Sequence, residues 1–228
     1  MKISGLMKTT LLDFPGKVAC TVFLAGCNFR CPFCHNGSLV RGGDEDISRE
    51  ELFAFLKKRV GILDGVCVTG GEPLLNPDVG ELLAEIKALG FAVKLDTNGS
   101  RPELLSELVE KGLVDYVAMD IKNAADRYPS ACGVEIDIEK VKKSVEILKT
   151  SGVAHEFRTT VVKGLHSAAD IAECAAWIGE NQPYFLQNYK KSDDIIAPDG
   201  LEPFSDEELS KLLSSAQKFN PLTTLRGT

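Results

Sequence analysis

The feature that most constrains this chain is an alternation. Six short runs rich in β-branched residues, at 18–24, 65–69, 92–97, 116–121, 155–161 and 184–187, are separated by longer amphipathic stretches. Those stretches read as helices at 48–60, 78–89, 102–111, 137–150 and 168–180, with a last one at 205–217. Their boundaries carry capping chemistry. Ser48 with Glu51 three residues on has the form of a capping box, and Asp137 opens a helix more weakly. Gly90, Gly112 and Gly152 stand where helices should stop. Strands that alternate with helices imply a parallel sheet with right-handed crossovers. Six units in 228 residues are about 38 residues each, whereas a closed eight-unit barrel needs about 250 or more. The expected fold is therefore α/β, an open partial (β/α)6 TIM-like barrel of parallel strands, with a doubly wound open sheet as the second option. No linker or repeat divides the chain, so residues 1–228 are read as one domain, with a core at about 15–190 and a C-terminal helical extension at about 191–228.

Composition narrows the function classes. The chain is 44% apolar and 26% charged, the balance of an ordinary globular protein. Its 33 acidic residues against 26 basic ones give a net charge of −7, which argues against nucleic acid or an anionic membrane as partner. No apolar run approaches the roughly 20 residues that span a bilayer. The start, Met1-Lys2-Ile3-Ser4-Gly5, lacks a signal-peptide layout, so the cytoplasm is the expected compartment.

Seven cysteines fit that compartment poorly as disulfides, being odd in number in a chain neither small nor visibly secreted. Their distribution is informative. Cys27, Cys31 and Cys34 fall within eight residues directly after the first run, and the other four are scattered. Pro32 would disrupt a helix there, so the three thiols belong to a loop able to wrap a compact object. Three thiolates can hold three corners of an iron–sulfur cube, and no fourth cysteine is close in sequence. The iron left without a thiolate would keep an open position, as catalytic zinc does. A zinc site completed by His35 suits the ligand types, but Cys34 and His35 are adjacent and would chelate awkwardly. Cys20, Cys67, Cys132 and Cys174 read as buried structural thiols.

The segment Gly26-Cys27-Asn28-Phe29-Arg30-Cys31-Pro32-Phe33-Cys34-His35-Asn36 resembles the cluster motif of the radical S-adenosylmethionine (SAM) superfamily. The resemblance implies one [4Fe–4S] cluster on Cys27, Cys31 and Cys34, chelation of the fourth iron by the methionine moiety of SAM, and adenine against the backbone around Phe33.

Later strand ends extend the likeness. Chemistry in parallel barrels gathers at the carboxyl ends of strands. The second run leads into Gly70-Gly71-Glu72-Pro73, where two glycines permit close approach of a ligand; it resembles the motif that grips the SAM amino group. The third ends Asp96-Thr97-Asn98-Gly99, a turn sequence on its own, and by resemblance Thr97 and Asn98 meet the SAM carboxylate or ribose. The fourth ends Met119-Asp120-Ile121-Lys122, with Asp120 and Lys122 on one face, as either an exposed ion pair or residues facing SAM. Arg158, on the fifth run, suits a carboxylate, by resemblance that of methionine, although a local Glu is an almost equal partner. Asp96, Thr97 and Asp120 are candidates for a monovalent cation. Gln187 is a candidate for the substrate side, and His155 and His166 read as structural or exposed.

The stretch from Lys8 to Lys17, with Phe23-Leu24-Ala25-Gly26-Cys27 and Cys34-His35-Asn36, is similar to anaerobic ribonucleoside-triphosphate reductase activating proteins, with parts shared by formate-lyase activating enzymes. The likeness runs to about residue 190. It implies that one electron breaks the sulfur–C5′ bond of SAM, and that the 5′-deoxyadenosyl radical removes hydrogen from a backbone glycine of a partner glycyl radical enzyme. A flavodoxin- or ferredoxin-like protein would supply the electron. No second cysteine-rich segment is present, so auxiliary clusters are not expected. The enzyme alternative is a radical SAM enzyme acting on a small molecule, like 7-carboxy-7-deazaguanine synthase. The non-catalytic one, an iron–sulfur electron-transfer protein, would need a fourth ligand.

Overall fold

The computed structural model describes residues 1–192 and 194–227. Eight strands form one sheet in sequence order: β1 (Ile3–Thr10), β2 (Ala19–Leu24), β3 (Gly65–Gly70), β4 (Ala92–Thr97), β5 (Tyr116–Asp120), β6 (Ala154–Val161), β7 (Tyr184–Asn188) and β8 (Thr223–Arg226). β1 is antiparallel to β2, and every later neighbour is parallel. The sheet does not close, since β1 and β8 are its two edges. This is the open partial barrel expected from the alternation.

Among the described residues the connections hold eight α-helices: α1 (Gly37–Val40), α2 (Arg49–Lys57), α3 (Val79–Ala88), α4 (Pro102–Glu110), α5 (Tyr128–Cys132), α6 (Ile138–Ser151), α7 (Ala168–Ile178) and α8 (Asp206–Gln217). Capping boxes open α2 at Ser48/Glu51, α7 at Ser167/Asp170 and α8 at Ser205/Glu208, each satisfying end N–H groups that the helix cannot. The two-residue period of the strands sorts their side chains. One set, including Val66, Val68, Val93, Leu95, Val117, Met119, Phe157, Tyr184 and Leu186, is fully buried in a core shared with Leu82, Leu83 and Ile86 of α3, Leu105 of α4, and Ile171 and Ile178 of α7. Burying each large apolar side chain contributes about 1.5–3 kcal/mol, so this layer dominates the stability of the sheet. The alternate set faces the barrel interior and is mostly polar: Cys67 and Thr69, Lys94 and Asp96, Tyr116 and Asp120, Glu156, Arg158 and Thr160.

All six expected strands are present, and two more flank them. β1 lies before the expected core and, as a half-exposed edge strand, shows little periodicity. The C-terminal extension is only partly helical: after α8 the chain returns as β8 and pairs in parallel with β7.

Candidate active site

The cysteine loop leaves β2 at the carboxyl end of the barrel and is tied down from both sides. Gly26 N donates to Leu39 O (2.8 Å), Arg30 N to Cys132 O (2.8 Å), and Ala197 N to Pro32 O (3.0 Å). Cys34 N donates to Cys31 O (3.0 Å), making the turn that Pro32 favours. Phe29 is buried with its ring edge-on to Tyr128, 6.5 Å between centroids. Cys27, Cys31 and Cys34 line one cavity of about 270 Å³. All seven cysteines are free thiols. Burial pushes the Cys27 thiol up and the Cys31 thiol up to about 12, with Lys122 pulling weakly the other way. Sulfurs in so dry a setting keep their protons until a metal centre displaces them.

The same cavity is lined by Phe33 on the loop, by Thr69, Gly70 and Gly71 at the end of β3, and by Asp96, Thr97 and Asn98 at the end of β4. Asp120 at the end of β5, Lys122 just after it, Arg158 and Thr160 of β6, and Gln187 of β7 also line it. The glycines are required by crowding. A Cβ on Gly71 would run into the Gly26 carbonyl, and one on Gly70, where φ is +127°, into the backbone of Leu24. Arg158 Nε donates to Asp120 Oδ1 (2.9 Å) and Nη1 to Asp96 Oδ2 (3.4 Å), while Lys122 Nζ donates to Asp120 Oδ2 (3.0 Å). Burial opposes the Asp120 charge, but Arg158 and Lys122 outweigh it and hold the carboxyl at about 2. The Lys122 ammonium lies 6.0 Å from the Phe33 ring centroid. Behind that ring, buried His166 accepts from Val162 N at Nδ1 (3.0 Å) and donates from Nε2 to Lys122 O (2.8 Å), the structural role expected of it.

Of the residues expected at the site, Glu72 alone does not line the cavity. It is 1% exposed and accepts from Leu74 N (3.0 Å), Thr97 Oγ1 (2.8 Å) and Asn98 N (2.6 Å), so it stitches the end of β3 to that of β4. Burial pushes its carboxyl up to about 7 against those hydrogen bonds. The carboxylates expected to hold a cation are also committed: Asp96 pairs with Lys94 and Arg158, and Asp120 with Arg158 and Lys122.

Several side chains at the site escaped the sequence reading. Asn28 Nδ2 donates to Ser100 Oγ (2.9 Å), Asn98 Nδ2 donates to Asn28 Oδ1 (3.0 Å) and reaches Cys27 Sγ (3.9 Å), and Ser100 N donates to Asn98 Oδ1 (3.0 Å). This ring locks the cysteine loop onto the end of β4. Away from the cavity wall, Lys94, Glu156 and Tyr116 were missed as well, although polar residues at alternate positions of strands otherwise built for burial were a usable signal.

The donor set fits a cubic iron–sulfur cluster. Three free thiols share one cavity, and Cys20, Cys67, Cys132 and Cys174 do not line it, so a fourth thiolate is not offered. Among the described residues, no three His, Cys, Asp or Glu side chains, the loop cysteines included, gather closely enough to hold a single metal ion.

Comparison with known proteins agrees with this geometry. The profile of the radical SAM superfamily matches residues 21–177, from within β2 through α7. A Methanocaldococcus jannaschii protein whose name places it with the glycyl-radical enzyme activating enzymes is 33% identical over 99% of this chain and 97% of its own. A 7-carboxy-7-deazaguanine synthase of Methanospirillum hungatei is 41% identical, over 45% of this chain and 42% of its own. Among solved structures, a domain of a pyruvate-formate lyase-activating enzyme from Bacteroides vulgatus superposes with a TM-score of 0.57 at 20% identity, over 72% of this chain and 99% of that one. With three free thiols on the loop after β2 and the strand-end motifs around one cavity, the chain belongs to the radical SAM superfamily, whose members use a [4Fe–4S] cluster and SAM.

Proposed function

We propose that this single domain is a cytoplasmic activating enzyme for a glycyl radical enzyme, with an anaerobic ribonucleoside-triphosphate reductase as the partner. The observation that carries the reading is the cavity itself: three thiols and a basic pair, Lys122 and Arg158, line it together. When bound, the cluster supplies one electron, drawn from a flavodoxin- or ferredoxin-like donor, and SAM supplies the group that takes hydrogen from the partner's glycine. The protein's own contribution is positional. Cys27, Cys31 and Cys34 hold the cluster, and the Asn28–Asn98–Ser100 ring fixes the first of them. Arg158, already oriented by Asp120 and Asp96, presents its remaining donors to the methionine carboxylate, for which its planar fork is suited. Lys122, Thr97 and the backbone of Gly70 and Gly71 complete the SAM wall, and Phe33 takes the adenine side. Glu72 acts one step back, by fixing Thr97 and Asn98. A monovalent cation is left out, because Asp96 and Asp120 already have basic partners.

Similarity over nearly the whole chain to a protein named as an activase supports a protein substrate, and the shorter match to a 7-carboxy-7-deazaguanine synthase keeps a small-molecule substrate as the second reading. Anaerobic reconstitution should load about four irons, and the reduced protein should release 5′-deoxyadenosine from SAM. Mixing with candidate reductases or lyases should then produce a glycyl radical signal in paramagnetic resonance. Full cluster retention in Cys31→Ala would overturn the ligand assignment. Turnover of a small molecule without any protein partner would favour the second reading.

A further inference from the structure

The last strand, near the end of the chain, reaches back into the barrel. Arg226 of β8 makes a two-pronged ion pair with Glu156 of β6, Nη1 to Oε1 at 2.6 Å and Nη2 to Oε2 at 2.8 Å. Its guanidinium carbon also lies 3.5 Å from the Phe185 ring centroid on the intervening strand β7. Glu156 is 1% exposed and accepts a third hydrogen bond, from Tyr116 Oη at 2.8 Å. Both carboxylate oxygens therefore have partners.

Glu156 and Arg158 are two residues apart on β6 and share its inward face. The two are close enough for each to feel the other's charge, yet Arg158 turns to Asp120 and Asp96 at the cavity. A buried carboxylate stripped of its partner carries a large desolvation cost and takes the nearest cation. Without Arg226 that cation is Arg158.

We infer that Arg226 is a positioning residue for the anion-binding wall: by saturating Glu156 it leaves Arg158 free to face the cavity and receive the carboxylate of SAM. The C-terminal strand is then part of the working site although it touches no ligand. The inference rests on the proposed SAM-binding role of Arg158.

The test compares wild type, Arg226→Ala, Glu156→Gln and the double variant as cluster-loaded proteins, measuring SAM binding by calorimetry without reductant so that no turnover occurs. Arg226→Ala should weaken SAM binding about tenfold, the worth of one charge-assisted hydrogen bond. Glu156→Gln alone should bind as wild type does, and adding it to Arg226→Ala should restore affinity, because a neutral amide no longer competes for Arg158. A crystal structure of Arg226→Ala should show the Arg158 guanidinium turned onto Glu156, a readout independent of SAM. If Arg226→Ala fails to fold, Glu156→Gln and the double variant still decide the matter: SAM binding lost in both despite folded protein overturns the inference. Equal loss in Arg226→Ala and the double variant, or an unmoved Arg158, also overturns it. Failure of the wild type itself to bind SAM would instead overturn the proposed function.

Discussion

Replacing Glu72 with Gln separates two roles for this residue, contact with SAM and internal stitching. In the structure, Oε1 accepts from Leu74 N and Thr97 Oγ1, and Oε2 accepts from Asn98 N at 2.6 Å. A glutamine keeps the first oxygen but turns an NH2 toward the Asn98 N–H, leaving a buried donor unmet at a cost of about 1–3 kcal/mol. Against that stands relief of a buried charge. Burial raises the carboxyl from 4.5 to about 7, equivalent to about 3 kcal/mol at pH values where it must ionise. The sign follows from linkage. A folded-state pKa above the unfolded one gives stability that is present below the unfolded pKa and lost as pH rises through the folded one. Wild type should therefore lose about 3 kcal/mol between pH 5 and pH 8 that the variant does not lose. Urea denaturation of the cluster-free, thiol-reduced protein should find Glu72→Gln less stable by about 1–3 kcal/mol at pH 5 and near parity or better at pH 8. A deficit that grows toward pH 8 would refute the reasoning, since it would mean that the ionised carboxylate is held by a favourable charge partner. Because Glu72 does not line the cavity, the variant should also bind SAM within a few-fold of wild type.

Three further outcomes follow from the same geometry. Asp120→Asn should destabilise the protein by about 3–5 kcal/mol in urea at pH 7, since it leaves Arg158 and Lys122 without their shared countercharge. The wild-type contribution of Asp120 is present above its unfolded pKa of about 4 and fades as pH falls through about 2, so the variant should lack that part of the acid-unfolding curve. Gly71→Ala forces a methyl group onto the Gly26 carbonyl and should cost about 1–3 kcal/mol, with iron uptake measurably slower because the cysteine loop must shift. Ser167→Ala removes one half of the α7 capping box and should cost about 1 kcal/mol in the same assay while leaving iron content unchanged.

What could be read from the sequence was local. The spacing of Cys27, Cys31 and Cys34 places three thiols on one loop, because eight residues cannot carry them far apart. The helix starts at Ser48 and Asp137 were legible for the same reason: a cap and its helix are neighbours in the chain. The order of strands and helices fixed the parallel sheet, since right-handed crossovers leave few other ways to pack such units. Edge strands were harder. β1 is exposed over much of its length and β8 has only four residues, so neither shows the apolar pattern of a buried strand.

Tertiary structure decided which polar groups meet. Asn28 and Ser100 are 72 residues apart, and Glu156 and Arg226 are 70 apart; each pair forms only because the folded sheet brings distant chain segments together. Only the fold showed Glu72 buried and bonded to Leu74, Thr97 and Asn98. It also paired Asp96 with Lys94 and Arg158, and Asp120 with Arg158 and Lys122. Hydrophobic patterning states which face of a strand is buried, but it carries no information about which charge on a neighbouring strand will compensate a buried one.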